Sequence, residues 1–475
     1  MSNSIVVQVG QCGNQIGSRF WDMVLQEHAL HNRRGIYDDA LSAFFRNVHP
    51  TTFANRPVGD GNGRITGLRA RGVMIDMEPA VVGAIARSPL GDLFDDNQRV
   101  TADSGSGNNW SVGNCVYGPV YRDEILEAVR QQAEHCDALQ SFFMLSSLGG
   151  GTGSGLGSYV CEMLSDEYPN VYRFVAPIVP SGDDDVVTSP YNSVLSLSKL
   201  IDCADCVLPI ENEALLDIHA RVLAESKPAA GADTRFSRRR TGTALTDSGA
   251  VEFTAGGMCA SPGRKTHPFD AMNNIAANLL MNMTSSMRFE GTMNVDINDI
   301  VTNLVPFPRL KFLLSSMAPL YTLSDPAAAR PAPRRLDQMF LDAFARDTQL
   351  VRCEPKTGRY LACALIARGD VEISDLRRNI ERMSTHLRFP DWNREAWKIG
   401  LCSVPPLGQP RCLLALANNC CIRQNFGNLR SRFLKLYKRK ANLHHYTANM
   451  DVGDIAAASE NVRDLVEEYA SQEFR

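Results

Sequence analysis

The chain has 475 residues, 44% of them hydrophobic and 21% charged, with a formal net charge of -4. That length predicts two or three domains, and that composition an ordinary globular protein. The near balance of charge gives no pull toward nucleic acid, and the lack of any apolar run of about 18 residues predicts no membrane-spanning helix.

The chain enters a β-branched strand almost at once, over Ser4–Gly10, which leaves no room for a signal peptide. Gln11–Gly17 then reads as a glycine turn, followed by a helix carrying Phe20, Trp21, Val24 and Leu25. A first strand feeding such a turn is where α/β nucleotide folds put a phosphate or the metal beside it. Taken alone, this motif is weak. The stretch 37–70, rich in Gly, Asn and Pro, reads as an enlarged loop, and Val73–Asp76 as a strand. Asp76 and Glu78 close that strand in Asp-Met-Glu-Pro79. Two uses of these carboxylates stand together: contacts to the waters of a Mg²⁺ ion, or a cap for the helix that Pro79 opens. Gly-Asn-Asn-Trp110 has the pattern of an ordinary turn, and Asp123–Leu139 that of a helix with Ile125, Val129, Ala133 and Cys136 on one face.

The most informative stretch follows. Phe142–Leu148 is an apolar strand that runs into Gly149-Gly-Gly-Thr-Gly-Ser-Gly155 and then into a helix with Leu156, Val160 and Leu164 at helical spacing. Glycines 149, 150, 151, 153 and 155 remove every Cβ that would keep a ligand off the backbone, and the helix start favours an anion. This predicts a phosphate cradle built from the amides of Gly149–Gly155, with the Thr152 and Ser154 hydroxyls as supplements. No Lys follows the glycines, so it is not a P-loop, and no register supplies the dinucleotide spacing. A flexible linker is a poor alternative between a buried strand and a helix.

Tyr172–Ile178 is a further buried strand, and the alternation over residues 1–225 predicts a mainly parallel sheet with helices on both faces, the nucleotide-binding domain. Residues 226–266, with Pro228 and Arg238-Arg-Arg240 among Gly, Ser and Thr, read as an insertion, disordered or a docking segment. A long helix over 269–289 carries Ile275, Leu279, Met283 and Met287 along one side. It opens a mixed α/β domain at 267–421, and helices at Gly427–Lys440 and Ile455–Ala470 make up a C-terminal helical region at 422–475. Arg430, Arg432, Lys435 and Lys438 are read as a solvated face. Thirteen cysteines scattered through apolar segments read as reduced core thiols of an intracellular protein, Cys203, Cys206 and Cys420-Cys421 included.

Three runs in chain order, Gln8-Val-Gly-Gln-Cys-Gly-Asn-Gln-Ile-Gly17, Gly149–Gly155 and Asn303-Leu-Val-Pro-Phe-Pro-Arg-Leu310, resemble the tubulin superfamily, in particular its ε-tubulin (epsilon-tubulin) branch. The opening Val-Val-Gln-Val-Gly-Gln-Cys, the enlarged loops and the lack of an acidic tail favour that branch. The resemblance implies a tubulin-like GTPase domain, a second mixed α/β domain and C-terminal helices, with GTP/GDP and Mg²⁺ as cofactors. It implies that Gln11 and Cys12 flank phosphates, magnesium and sugar, that Asn108 with Asn109 approaches the γ-phosphate, and that Ser147, Gly150, Gly151, Thr152 and Gly153 hold the phosphates. Glu78, with Gln11, stands on the magnesium side. Asn212 and Asn273 match guanine-contacting asparagines, their amides able to donate and accept, and Phe269 the ring that stacks on the base. Ser189 replaces an acidic residue before Pro-Tyr-Asn192, so a ribose contact is weakened or passes to Asp184 or Asp185.

Hydrolysis in tubulins draws on the next subunit. Here Gly291-Thr-Met-Asn-Val-Asp-Ile-Asn-Asp299 places Asp299 where α-tubulin has its acidic residue, so Asp299 is expected to act on a neighbour's GTP; capping its own helix is the alternative. GTPase activity is thus expected only on stacking. The resemblance further implies a structural role in centrioles, basal bodies and triplet microtubules, in cytoplasm and cytoskeleton. Its expected partners are other tubulins (δ-tubulin functionally linked, with α/β-tubulin as contacts) and centriolar proteins, with no nucleic acid and no membrane. A scaffold that keeps GTP without turnover is one alternative. A soluble nucleotide-dependent enzyme is another, but the nine histidines form no catalytic constellation with carboxylates.

Overall fold

The structure, a computed structural model, describes residues 2–32, 39–48, 55–56, 65, 67–182, 184, 186–226, 268–289, 291–320 and 335–474. Strand β1 (Asn3–Val9) is buried along its whole length, as its β-branched run requires at the centre of a parallel sheet. Helix α1 (Gly10–His31) follows without a loop. The turn expected over Gln11–Gly17 is therefore the opening of a helix, and the turn itself is Gly10, at φ 75°. Gly13 and Gly17 serve packing: a Cβ on Gly13 would stand 2.1 Å from the Leu145 carbonyl oxygen, and one on Gly17 2.1 Å from Gln8 Oε1.

The stretch read as one enlarged loop carries β2 (Phe45–Val48), β3 (Asn55–Arg56) and β4 (Leu68–Ala70), paired in the order β3-β2-β4. Its parts at 37–38, 49–54, 57–64 and 66 lie outside the described residues. Then come β5 (Gly72–Asp76), α2 (Pro79–Ala86), β6 (Arg99–Thr101), α3 (Gly118–Glu134), β7 (Leu139–Ser147), α4 (Gly157–Glu167), β8 (Tyr172–Val179), α5 (Ser189–Cys203), β9 (Cys206–Val207) and β10 (Ile210–Glu211). The helix expected over Asp123–Leu139 starts at Gly118 and stops at Glu134, because Leu139 already pairs with Asn3 in the sheet. The sheet order is β10-β8-β7-β1-β5-β6, with β9 beside β8, and every pairing is parallel.

Period-two alternation splits the core between the faces. Ile5, Val7 and Val9 pack with α3, α4 and α5, while Val6, Met74 and Leu145 pack with α1 and the central helix. That helix is α7 (Pro268–Met283), preceded by α6 (Asn212–Ser226). The long helix expected over 269–289 breaks at Thr284, whose hydroxyl donates back to the Leu280 carbonyl at 2.8 Å, and resumes as α8 (Ser285–Arg288). Apart from Ser226, the insertion at 226–266 lies outside the described residues.

The remaining elements are α9 (Ile297–Leu304), β11 (Leu314–Ala318), α10 (Leu336–Ala343), β12 (Tyr360–Gly369), α11 (Ile373–Ser384), β13 (Trp397–Cys402), β14 (Arg411–Asn419), α12 (Arg423–Tyr437), α13 (His444–Thr447) and α14 (Val452–Phe474). A second sheet runs β11-β14-β12-β13. A buried charge cluster ties it to the first: Glu27 of α1 accepts from Arg368 of β12 at 2.6 Å and from Arg288 of α8 at 2.5 Å. Helices α12 and α14 pack on the first sheet's helices, through Phe433, Ile455, Val462 and Leu465. Two cations read as solvated are engaged there: Arg430 donates to the Ser459 carbonyl at 3.0 Å and Arg432 to that of Ser181 at 3.2 Å.

Candidate functional site

The carboxyl ends of β1, β5 and β7 lie side by side, and the glycine run follows β7. Leu148–Gly150 bend, the chain turns helical at Gly151, and the first turns over Thr152–Leu156 are wide π turns before α4 begins. Such turns recur at functional sites. At most of these glycines the missing Cβ makes room for protein atoms. A Cβ on Gly151 would stand 2.4 Å from Ser106 Oγ, one on Gly153 3.0 Å from the Ser147 amide nitrogen, and one on Gly155 2.3 Å from the Trp110 carbonyl oxygen. These positions let backbones approach each other. Gly150 alone in the run meets nothing closer than Asn108 Oδ1, at 3.8 Å, so its face is open.

The hydroxyls divide in the same way. Ser147 Oγ accepts from the Gly149 amide at 3.2 Å, and Thr152 Oγ1 lies 3.0 Å from Ser106 Oγ. Ser154 is buried and donates to the Gly150 carbonyl, so it shapes the turn from behind. Beside the glycines, Gln11 is exposed and Cys12 half-buried in the first turn of α1. Burial of the Cys12 thiol pushes its pKa up to about 12, which keeps it neutral.

Asp76 ends β5, and its Oδ2 is buried with no partner among the described residues. Burial raises its pKa to about 6. Glu78 occupies the N-cap position of α2, with Pro79 next, but its side chain makes no capping hydrogen bond. It is exposed and leans on Gly105, where a Cβ would stand 2.1 Å from Glu78 Oε1. Gly105 adjoins Ser106, the partner of Thr152, which links Glu78 to the glycine run through one short loop. Two carboxylates there suit a hard cation such as Mg²⁺.

Asn108 turns the next loop at φ 53°, after Gly107 at φ 56°. Its carbonyl and that of Gly149 accept from one buried amide, Asn192 Nδ2, each at 2.8 Å. Sequence reasoning passed over Asn192, quoting it only as the end of Ser189-Pro-Tyr-Asn. The available signal was a polar residue on the apolar face of α5. Ser189 opens α5 with its hydroxyl buried and unpartnered among the described residues. Asp184 Oδ2 lies 3.3 Å from a Cβ built on Gly149, and Asp185 lies outside the described residues.

The base-side candidates approach from two helices. Asn212 opens α6 directly after β10, whose Ile210 pairs with Ile178. Phe269, 62% exposed, and the half-buried Asn273 stand one turn apart at the start of α7. That start lies along the first half of α1, since Arg19 Nε donates to Asn274 Oδ1 at 2.6 Å. Asp299 does not join this cluster. It is the third residue of α9, completes a capping box with Asp296, and binds Lys398 Nζ at 3.0 Å.

Residues 3–220 match the family described as Tubulin/FtsZ family, GTPase domain, and residues 308–431 the Tubulin C-terminal domain. A relative named Tubulin epsilon chain, from Homo sapiens, is 53% identical over 99% of this chain and 96% of its own length. Its Mus musculus counterpart is 52% identical over the same shares. A Tubulin beta-2 chain from Suillus bovinus is 36% identical, again over 99% and 96%.

Proposed function

The chain belongs to the tubulin family and carries its GTP-binding domain, and from that premise we propose that it is a GTP-dependent structural subunit of centrioles and basal bodies. The reading of this chain's own site rests on one observation: at Gly150 the backbone faces open space between a helix start and the Asn108 turn. Phosphates held there would take the amides of Gly150, Gly151, Thr152 and Gly153, with Ser147, Gln11, Cys12 and Asn108 around them. Guanine would lie between Asn212, Asn273 and Phe269. Glu78, with Asp76 and Gln11, would hold the waters of Mg²⁺, which would supply neutralisation of phosphate charge.

The domain limits proposed are 1–225, 226–266, 267–421 and 422–475. Likeness to Tubulin epsilon chains supports the centrosomal location, a functional link to δ-tubulin and contacts with α/β-tubulin and centriolar proteins. Asp299 would act on GTP held by a subunit stacked against it, leaving its own GTP uncut in isolation. The test is to identify by mass the nucleotide that purifies with the chain and to follow its hydrolysis with and without other tubulins. GDP accumulating only on assembly is the expected result. GTP kept without turnover would favour a scaffold, and an adenine or nicotinamide cofactor would overturn the reading.

A further inference from the structure

We propose that the strap joining α12 to α14, residues 438–451, sets how firmly the phosphate loops close, through a hydrogen bond from Tyr446 to Asn192. The inference rests on the nucleotide reading above and adds a means of regulating that site. Asn192 is wholly buried and uses both ends of its amide. Its Nδ2 donates to the carbonyls of Gly149 and Asn108, each at 2.8 Å. Its Oδ1 accepts from the Trp110 amide at 3.0 Å and from the Tyr446 hydroxyl at 2.6 Å. One side chain thus joins the glycine turn, the Asn108 turn and the strap. Asn192 and Tyr446 are positioning residues, since both act on the phosphate loops through other groups.

The strap is tied down at further points. Asn109 Nδ2 donates to the His445 carbonyl at 3.0 Å, Asn449 Nδ2 to Ser111 Oγ at 3.3 Å, and the Tyr191 hydroxyl to the Ala441 carbonyl at 3.0 Å. The Tyr446 ring stands 5.1 Å from Tyr191, which stands 5.3 Å from Phe433 of α12. A shift of the strap therefore reaches the outer helices. Its entry holds two left-handed residues with side chains, Lys440 at φ 52° and Asn442 at φ 54°. Local backbone bonds hold this turn, from the Lys440 amide to the Tyr437 carbonyl at 2.9 Å and from the Ala441 amide to the Leu436 carbonyl at 3.1 Å, so the strap leaves α12 in a fixed direction. His444, His445 and Thr447 are exposed on it and open to a partner. By linkage, a partner that holds the strap down tightens nucleotide by the same factor as nucleotide tightens the partner.

The test uses the full chain, radiolabelled GTP and hydrogen exchange over 441–450. In the unaltered chain GTP is expected to slow exchange across the strap. Tyr446→Phe keeps the ring and deletes the link; GTP should then dissociate about tenfold faster, the size of one good hydrogen bond, and strap exchange should stop responding to GTP. Tyr469→Phe removes another buried hydroxyl, one near Phe312 and Asn418, and should leave both readouts unchanged. A strap indifferent to GTP in the unaltered chain overturns the proposal, as does an unchanged dissociation rate in Tyr446→Phe. Failure of the unaltered chain to bind labelled GTP overturns the nucleotide reading, and this inference with it.

Discussion

Replacing Gly150 with Ala separates binding from folding at the glycine run. The added methyl would meet no protein atom closer than Asn108 Oδ1 at 3.8 Å, and Gly150 is not among the positive-φ glycines, so the fold should accept it. The methyl would project into the open face where the phosphates are proposed to lie, and would crowd an oxygen held at about 2.9 Å on the Gly150 amide. Losing one charge-assisted hydrogen bond costs about 1.5–3 kcal/mol, or roughly tenfold to 150-fold in Kd. The assay is titration with a labelled GTP, alongside a thermal melt without nucleotide. The expected outcome is an unchanged melt with GTP binding weakened by that factor. Gly155→Ala, whose methyl would meet the Trp110 carbonyl oxygen at 2.3 Å, should lower the melt instead. Unchanged GTP affinity in Gly150→Ala would refute the cradle.

Other outcomes follow from charges in the fold. Glu27→Gln leaves the guanidinium groups of Arg288 and Arg368, both wholly buried, without their anion; a loss of about 3–5 kcal/mol is expected, read as a lowered denaturation midpoint. Burial and the nearby Arg288 hold His28 down at about 3, against 6.5 when unfolded. The unfolded chain takes up that proton first, so this contribution is complete above pH 6.5 and lost as pH falls toward 3. The slope is about 1.4 kcal/mol per pH unit, and melts of His28→Gln between pH 6 and pH 4 should show it flattened. Asp299→Ala should leave the chain's own GTP affinity intact and slow GTP turnover only in the assembled pair; equal turnover there would remove Asp299 from the reaction.

The parallel nucleotide-type sheet and its phosphate corner were legible because their signals are local. A short β-branched run that ends at a glycine reads as a buried strand, and a strand–glycine–helix junction offers free amides at the helix start. The turn misplaced over Gln11–Gly17 shows the limit. Gly13 and Gly17 look like loop residues in sequence, yet they lie within α1, and glycine is needed there because Leu145 of β7 and Gln8 press against them. The same holds for Gly151, Gly153 and Gly155, whose need for glycine comes from Ser106, Ser147 and Trp110. Only tertiary structure decided which glycine keeps an open face, that Arg430 and Arg432 bind neighbouring elements, and that Asn192 gathers three segments. Those facts depend on residues far apart in the chain, and a side chain's neighbours across a fold leave no periodic trace in its own segment.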